Sequence, residues 1–200
     1  MPKVHPNTVS EAQQRQDSDR HVAEALTVWK KSLLFNCNGF TVFDAKGNLA
    51  FRVDNYVADN NGQILLMDGG GKPLLTIRRK RLSLGDHWQI FNGEEDINPR
   101  LSVKKNSNFL NSKPLALVTS ACGPRQVIYT IDGSYAQRCC VIYNEKRRPV
   151  AEIKCKETVG GASFGLDVFR LIIQPEFDMP IAMSLVIILE QMFRSRRFIY

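Results

Sequence analysis

The segment that most restricts this chain lies near its carboxyl end, EFDMPIAMSLVIILEQMF, where from Ile181 to Phe193 only Ser184, Glu190 and Gln191 are polar. Asp178 can cap a helix here and Pro180 suits its first turn, so the spacing predicts a helix over about 180–193. Its apolar residues occupy every face rather than one stripe, and such a helix must be enclosed on all sides. At ~1.5 Å per residue the apolar part is ~20 Å long, short of the ~30 Å hydrocarbon core of a bilayer. Asp178 and Glu190 bracket it. A buried helix is expected, not a transmembrane span.

The rest of the chain has to supply the enclosure. From Leu26 onward it reads as short runs of alternating apolar and polar residues broken by turn residues about every 8 to 12 positions, the all-β pattern. A repeat of eleven residues recurs three times: FDAKGNLAFRV from Phe43, MDGGGKPLLTI from Met67 and YNEKRRPVAEI from Tyr143. Asp44, Asp68 and Asn144 can each bond their own downstream backbone and open a turn, and Gly47 or the glycines at 69–71 can take positive φ. Pro73 and Pro149 suit the first residue of a strand.

Leu49, Phe51 and Val53 alternate with Ala50, Arg52 and Asp54, and Ala151, Ile153 and Cys155 with Glu152, Lys154 and Lys156, so one face is buried and one wet. Runs of this kind fall near 27–36, 39–43, 49–54, 63–67, 74–82, 87–91, 100–104, 114–119, 125–131, 136–143, 150–156 and 166–174. Side chains alone fill a barrel of ~8 strands, whereas one of ~12 has a lumen that needs a plug. The expected fold class is therefore mainly β, a closed antiparallel barrel of about twelve strands around a central hydrophobic C-terminal helix.

Residues 1–24 are polar, lack the apolar stretch of a signal peptide, and are expected to form a flexible tail ahead of a single barrel domain over 25–200. The chain carries a net +7; the tail has three cations and four anions, so the remainder carries +8. The five cysteines, Cys37, Cys122, Cys139, Cys140 and Cys155, are odd in number and include no CxxC pair. Reduced thiols in a cytosolic or nuclear setting are the expectation.

The stretches LTVWKKSLLFNCNGFTVFDAKGNLAFRVDNY, LLMDGGGKPLLTIRRKRLSLGDHW and FDMPIAMSLVIILEQM resemble the plant LURP-one-related family, over about 30–195. That family resembles the carboxy-terminal domain of Tubby proteins and the phospholipid scramblases. The resemblance implies twelve strands closed around a central hydrophobic helix. It also implies a link to plant defence in some relatives and, through Tubby domains, to phosphoinositides at the plasma membrane. No Tubby headgroup-binding motif matches here residue by residue, and fold alone does not settle activity.

Gly161, Ser163 and Gly165 satisfy the GxSxG pattern of a hydrolase nucleophile elbow, but that elbow needs a strand before it, a helix after it and a later histidine. Here a strand follows, and the histidines are His5, His21 and His87. The expectation is a glycine-rich loop, no enzyme, no catalytic residue, no metal site and no cofactor. His87, beside Trp88, reads as structural. The run Glu94, Glu95, Asp96 lacks the spaced ligands of a calcium loop.

Cations cluster in five runs: Lys30-Lys31; Arg78, Arg79, Lys80 and Arg81; Lys104-Lys105; Lys146, Arg147 and Arg148; and Arg194 with Arg196-Arg197. Strict alternation would send two of the four at 78–81 into the barrel, so a bulge, a strand end or a bound anion must resolve that run. The three at 146–148 fall in a hairpin turn and are expected to be exposed. These two runs are the candidate sites for anionic headgroups. The leading reading is a peripheral module on anionic phospholipid, cytoplasmic or at the plasma membrane. The alternative is a protein or nucleic-acid interaction domain, possible also in the nucleus, although scattered aromatics argue against single-strand nucleic acid.

Overall fold

The structure, a computed structural model, describes residues 22–34, 38–55, 62–81, 83, 85–95, 97–106, 114–123, 126–156 and 165–193. Among these are twelve strands: β1 (Glu24–Trp29), β2 (Asn38–Phe43), β3 (Leu49–Asn55), β4 (Gln63–Asp68), β5 (Pro73–Arg79), β6 (His87–Asn92), β7 (Leu101–Lys105), β8 (Pro114–Ser120), β9 (Val127–Ser134), β10 (Cys139–Asn144), β11 (Pro149–Cys155) and β12 (Val168–Ile173). They are followed by one helix, α1 (Met179–Phe193). Each strand pairs antiparallel with its sequence neighbours, and β1 closes on β12. The expected barrel is present, with no open sheet edge left to satisfy.

The repeat builds three hairpins of one design. Asp44 Oδ1 accepts from the backbone N–H of Lys46 and Asn48 at 2.8 Å each, Asp68 Oδ1 from that of Lys72 at 2.8 Å, and Asn144 Oδ1 from those of Lys146 and Arg148 at 3.0 Å each. All three hairpins carry a register shift at the same place, just before the turn. Pro73 and Pro149 open their strands as expected. The residue three places after each turn-opening side chain has positive φ: Gly47 at 86°, Gly71 at 90° and Arg147 at 58°.

Alternation puts one face of every strand into the lumen. Val28, Val42, Val53, Leu66, Ile77, Ile90, Val103, Val118, Ile131, Ile142, Ile153 and Leu171 are all essentially inaccessible, one from each strand in turn. They form one continuous core with α1, in which Ile181 to Glu190 are buried without a break. A helix buried on all faces within this ring fills the lumen. Asp178 caps it as expected, with its Oδ1 accepting from Ile181 N–H at 3.3 Å and Arg100 pairing with its other oxygen at 3.2 Å. Ser184, the one polar residue in its middle, donates to the carbonyl of Ile181 at 2.7 Å.

Several strand ends differ from the sequence expectation: β1 begins at Glu24 rather than 27, β9 ends at Ser134 rather than 131 and β10 begins at Cys139 rather than 136. The first strand stops at Trp29 rather than near 36, because Lys31 N–H bonds the Trp29 carbonyl at 2.9 Å and turns the chain. The fifth stops at Arg79 rather than 82, where Arg79 pairs with Asp86 across the following turn. Cys155, expected on the buried face, is exposed because it ends its strand at the barrel mouth.

The enclosed helix makes two predictions. Leu185→Asp places an unpaired charge in the sealed lumen and should cost several kcal/mol, read as a lowered midpoint in urea unfolding. Deleting the chain after Gln174 should abolish the cooperative transition in calorimetry, because the empty lumen has nothing to collapse on.

Candidate functional site

Because every strand of the barrel runs antiparallel to the next, successive connections alternate between its two mouths. The turns after β2, β4 and β10 and the amino end of α1 share one mouth. The connections after β1, β5, β7, β9 and β11 and the carboxyl end of α1 share the other. The two candidate cationic runs are therefore separated: 78–81 lies at the helix's carboxyl mouth and 146–148 at its amino mouth. They cannot meet one flat surface together.

The run at 78–81 is resolved by a strand end. Arg78 lies on the outer face, half-buried, with its guanidinium over the Phe91 ring at 5.3 Å. Arg79 shares a face with Leu75 and Ile77 but sits at the rim, where it bonds Asp86 at 2.7 Å. Lys80 and Arg81 lie beyond the strand and are exposed. Lys31 and Lys104 are exposed at the same mouth. The run 194–197 follows α1 and lies outside the described residues, as do residues 1–21 with His5 and His21, Cys37, Asp96 and the 161–164 part of the GxSxG pattern.

At the amino mouth the expectation of three exposed cations holds in exposure but not in availability. Lys146 and Arg148 project freely. Arg147 donates to Asp132 at 2.9 Å and to Thr130 Oγ1 at 3.0 Å, and it stacks over Tyr143 at 4.3 Å. It occupies the left-handed position that glycine fills in the other two hairpins, a conformation that a residue with a Cβ disfavours and that these contacts hold. Charge reversal across all three residues would thus disturb the fold at Arg147, whereas the flanking pair is neutral to it. A cleft of about 490 Å³ also opens at this mouth, where Arg100 and Asp178 face the tilted pair Tyr129 and Phe177, ring centroids 5.0 Å apart. Its lining contains no histidine.

His87 is structural in its surroundings: its ring bonds Ser102 Oγ at 2.5 Å and lies 3.4 Å from Ser83 Oγ. Burial raises the Cys140 thiol to about 12, which keeps it protonated and unreactive. No group of three metal-ligating side chains occurs among the described residues, and no helix among them is long and apolar enough to cross a membrane.

Sequence reasoning did not assign roles to the residues that fasten α1 at its carboxyl mouth. Glu190 is buried and bonds Lys30 at 2.7 Å, with Arg138 at 3.4 Å on its other oxygen. Arg138 is itself buried between the rings of Tyr135 and Phe169, at 4.3 and 4.4 Å, and donates to the Leu166 carbonyl at 2.8 Å. Lys105 reaches the Met192 carbonyl at 3.1 Å, a cation on the negative end of the helix. A charge inside an otherwise apolar, enclosed helix was the available signal, since such a group needs a partner. Burial alone would raise the Glu190 carboxyl, but the Lys30 hydrogen bond and the charges of Lys30 and Arg138 outweigh it and hold it below its usual range.

The family model for LURP-one-related proteins matches residues 24–190 of this chain. The chain belongs to the LURP-one-related family. It is 51% identical to protein LURP-one-related 8 of Arabidopsis thaliana over 98% of this chain and 100% of that one. With LURP-one-related 17 of the same plant it shares 42% identity, over 84% and 82% of the two chains. A crystal structure of an Arabidopsis thaliana protein, 24% identical, superposes with a TM-score of 0.62 over 84% of this chain and 90% of that one, which supports the fold. The family match runs from the first residue of β1 to Glu190, so the LURP-one-related unit comprises the barrel, its plug and the carboxylate that fastens the plug.

That carboxylate sets an acid limit. A depressed Glu190 contributes stability that is present above its unfolded value near 4.5 and lost as pH falls through its lower folded value. Glu190→Gln should flatten the acid limb of a stability-against-pH curve for this LURP-one-related chain. At neutral pH it should cost about 3 kcal/mol, since Arg138 is left buried without its anion. Denaturant midpoints between pH 3 and 7 check both.

Proposed function

We propose that this protein is a non-enzymatic module of plant defence signalling that meets anionic phospholipid, phosphoinositides included, from the cytoplasmic side with the carboxyl mouth of its barrel. The observation that carries the reading is the gathering of Lys31, Lys80, Arg81 and Lys104, all exposed, at one mouth. At the other mouth the cations are interleaved with Asp44, Asp68, Glu94, Glu95, Glu145 and Asp178, which cancel much of their field. Among the described residues the lumen is occupied by α1 and the inward side chains of the strands, which supports a binding role over catalysis or carriage. The defence setting rests on the family resemblance alone.

Each cation near an anionic leaflet contributes ~1 kcal/mol, so reversing two at the right mouth should weaken binding about thirtyfold or more. Flotation with phosphatidylcholine vesicles, with and without phosphoinositide, tests this. Binding should require the anionic lipid, fall with salt, collapse in Lys80→Glu/Arg81→Glu and persist in Lys146→Glu/Arg148→Glu. Failure to float at any salt, with retention on DNA or on a protein partner, would favour the interaction-domain reading. A fluorophosphonate probe should leave Ser163 unlabelled; labelling would overturn the non-enzymatic reading.

A further inference from the structure

The corner between β1 and β2 has its polarity inverted. Ser32 is buried at 5% exposure, while its neighbours Leu33 and Leu34 are 49% and 37% exposed and Trp29 is 40% exposed. A corner that faces only water would be expected to do the opposite. Residues 31–34 are also held in place. Ser32 Oγ bonds Asp54 and accepts from Leu34 N–H at 3.0 Å, and Thr41 Oγ1 donates to the Lys31 carbonyl at 2.7 Å. Gly39 lets β2 pass beneath it, since a Cβ there would lie 1.8 Å from the Val53 carbonyl oxygen and 3.2 Å from Ser32 Cβ.

Residues 165–167, which lead into β12, are tied alongside by Lys30 N–H to the Asp167 carbonyl at 2.8 Å and present Leu166 at 53% exposure. Of the seven large apolar side chains exposed among the described residues, these four stand at one mouth. The other three, Val22, Ile97 and Val127, are scattered around the other mouth. Lys31 lies over the Trp29 ring at 5.2 Å. A tryptophan and leucines held rigidly beside lysines is the chemistry of an interfacial anchor, apolar side chains entering the headgroup boundary while cations stay with the phosphates.

We infer that Trp29, Leu33, Leu34 and Leu166 form an insertion surface that seats in the interfacial layer of an anionic bilayer. The inference rests on the reading that this mouth meets lipid, and it adds penetration to attraction. Exposed Lys31, Lys80 and Arg81 at the same mouth match an anionic surface in charge, which selects a bilayer over an uncharged apolar partner. Attraction between exposed charges is screened by salt, whereas burial of apolar side chains is not. Binding should therefore have two parts, one that salt removes and one that it leaves.

The test uses the full chain and vesicles of phosphatidylcholine with phosphatidylserine, with acyl chains plain or brominated. The chain has two tryptophans, and Trp88 is buried at 6% exposure, so a change on binding reports Trp29. Trp29 emission should shift to the blue and be quenched by brominated chains, with both effects absent in Trp29→Phe. Leu33→Ser/Leu34→Ser should keep its thermal midpoint and the slope of its binding against salt, yet bind at least tenfold more weakly than wild type, with the loss still present at 0.5 M salt. Salt-sensitive binding with no quenching, and a serine variant equal to wild type, would overturn insertion and leave electrostatic docking standing. No binding at any salt would overturn both. Self-association without vesicles that the serine variant abolishes would assign the corner to a second copy of this chain and also overturn insertion.

Discussion

A helix of about four turns with no wet face can exist in water only inside something, and the architecture here follows from enclosing it. The carboxy-terminal segment is too short to cross a bilayer, so the enclosure is made from protein. A sheet can surround it only by closing, and closing also removes the unpaired strand edges that an open sheet of this size would expose. Twelve strands leave room for one helix with its side chains, where eight would already be filled. The core is thus concentric: inward residues of every strand face the helix, and no second apolar layer is needed outside.

The two ends of that helix are the places where apolar burial has to give way to charge. At the amino end Asp178 accepts from the first turn and is itself paired with Arg100. At the carboxyl end Lys105 takes a terminal carbonyl, and Glu190 is gripped by Lys30 and Arg138. A buried ion pair adds little net stability, since desolvation offsets attraction, but losing one partner is costly. Its effect is to select: only one axial position of the helix brings Glu190 between Lys30 and Arg138. The apolar surface supplies the driving force, and the charges fix the register.

The same alternation that closes the barrel divides its surface into two mouths with different characters. One carries the repeated Asx-closed turns, with acids and bases interleaved. There Arg147 shows how a cation in a turn can be structural, holding a left-handed backbone through Asp132 and Tyr143. The other mouth combines exposed cations with an apolar corner built on a buried serine. On the proposed reading, attraction and apolar anchoring at one end would together define an orientation relative to a surface, which neither would do alone.

Much of this was legible in the chain itself. Strand number, the closed barrel, the enclosed helix, its Asp178 cap and the three equal turns all follow from local periodicity and from side chains that bond their own backbone a few residues on. Strand ends at Trp29 and Arg79 were not legible, because a turn made by Lys31 and an ion pair with Asp86 override alternation there. Which cations are free was not legible either: Arg147 and Arg79 look like their neighbours in sequence and are engaged by Asp132 and Asp86. The grip on Glu190 and the exposure of Leu33 and Leu34 depend on residues far apart along the chain. Sequence determines what is periodic and local, because a strand face or a turn is decided within about ten residues. Only the closed barrel decides which mouth a residue reaches, and with it which charges are engaged within the fold and which meet solvent.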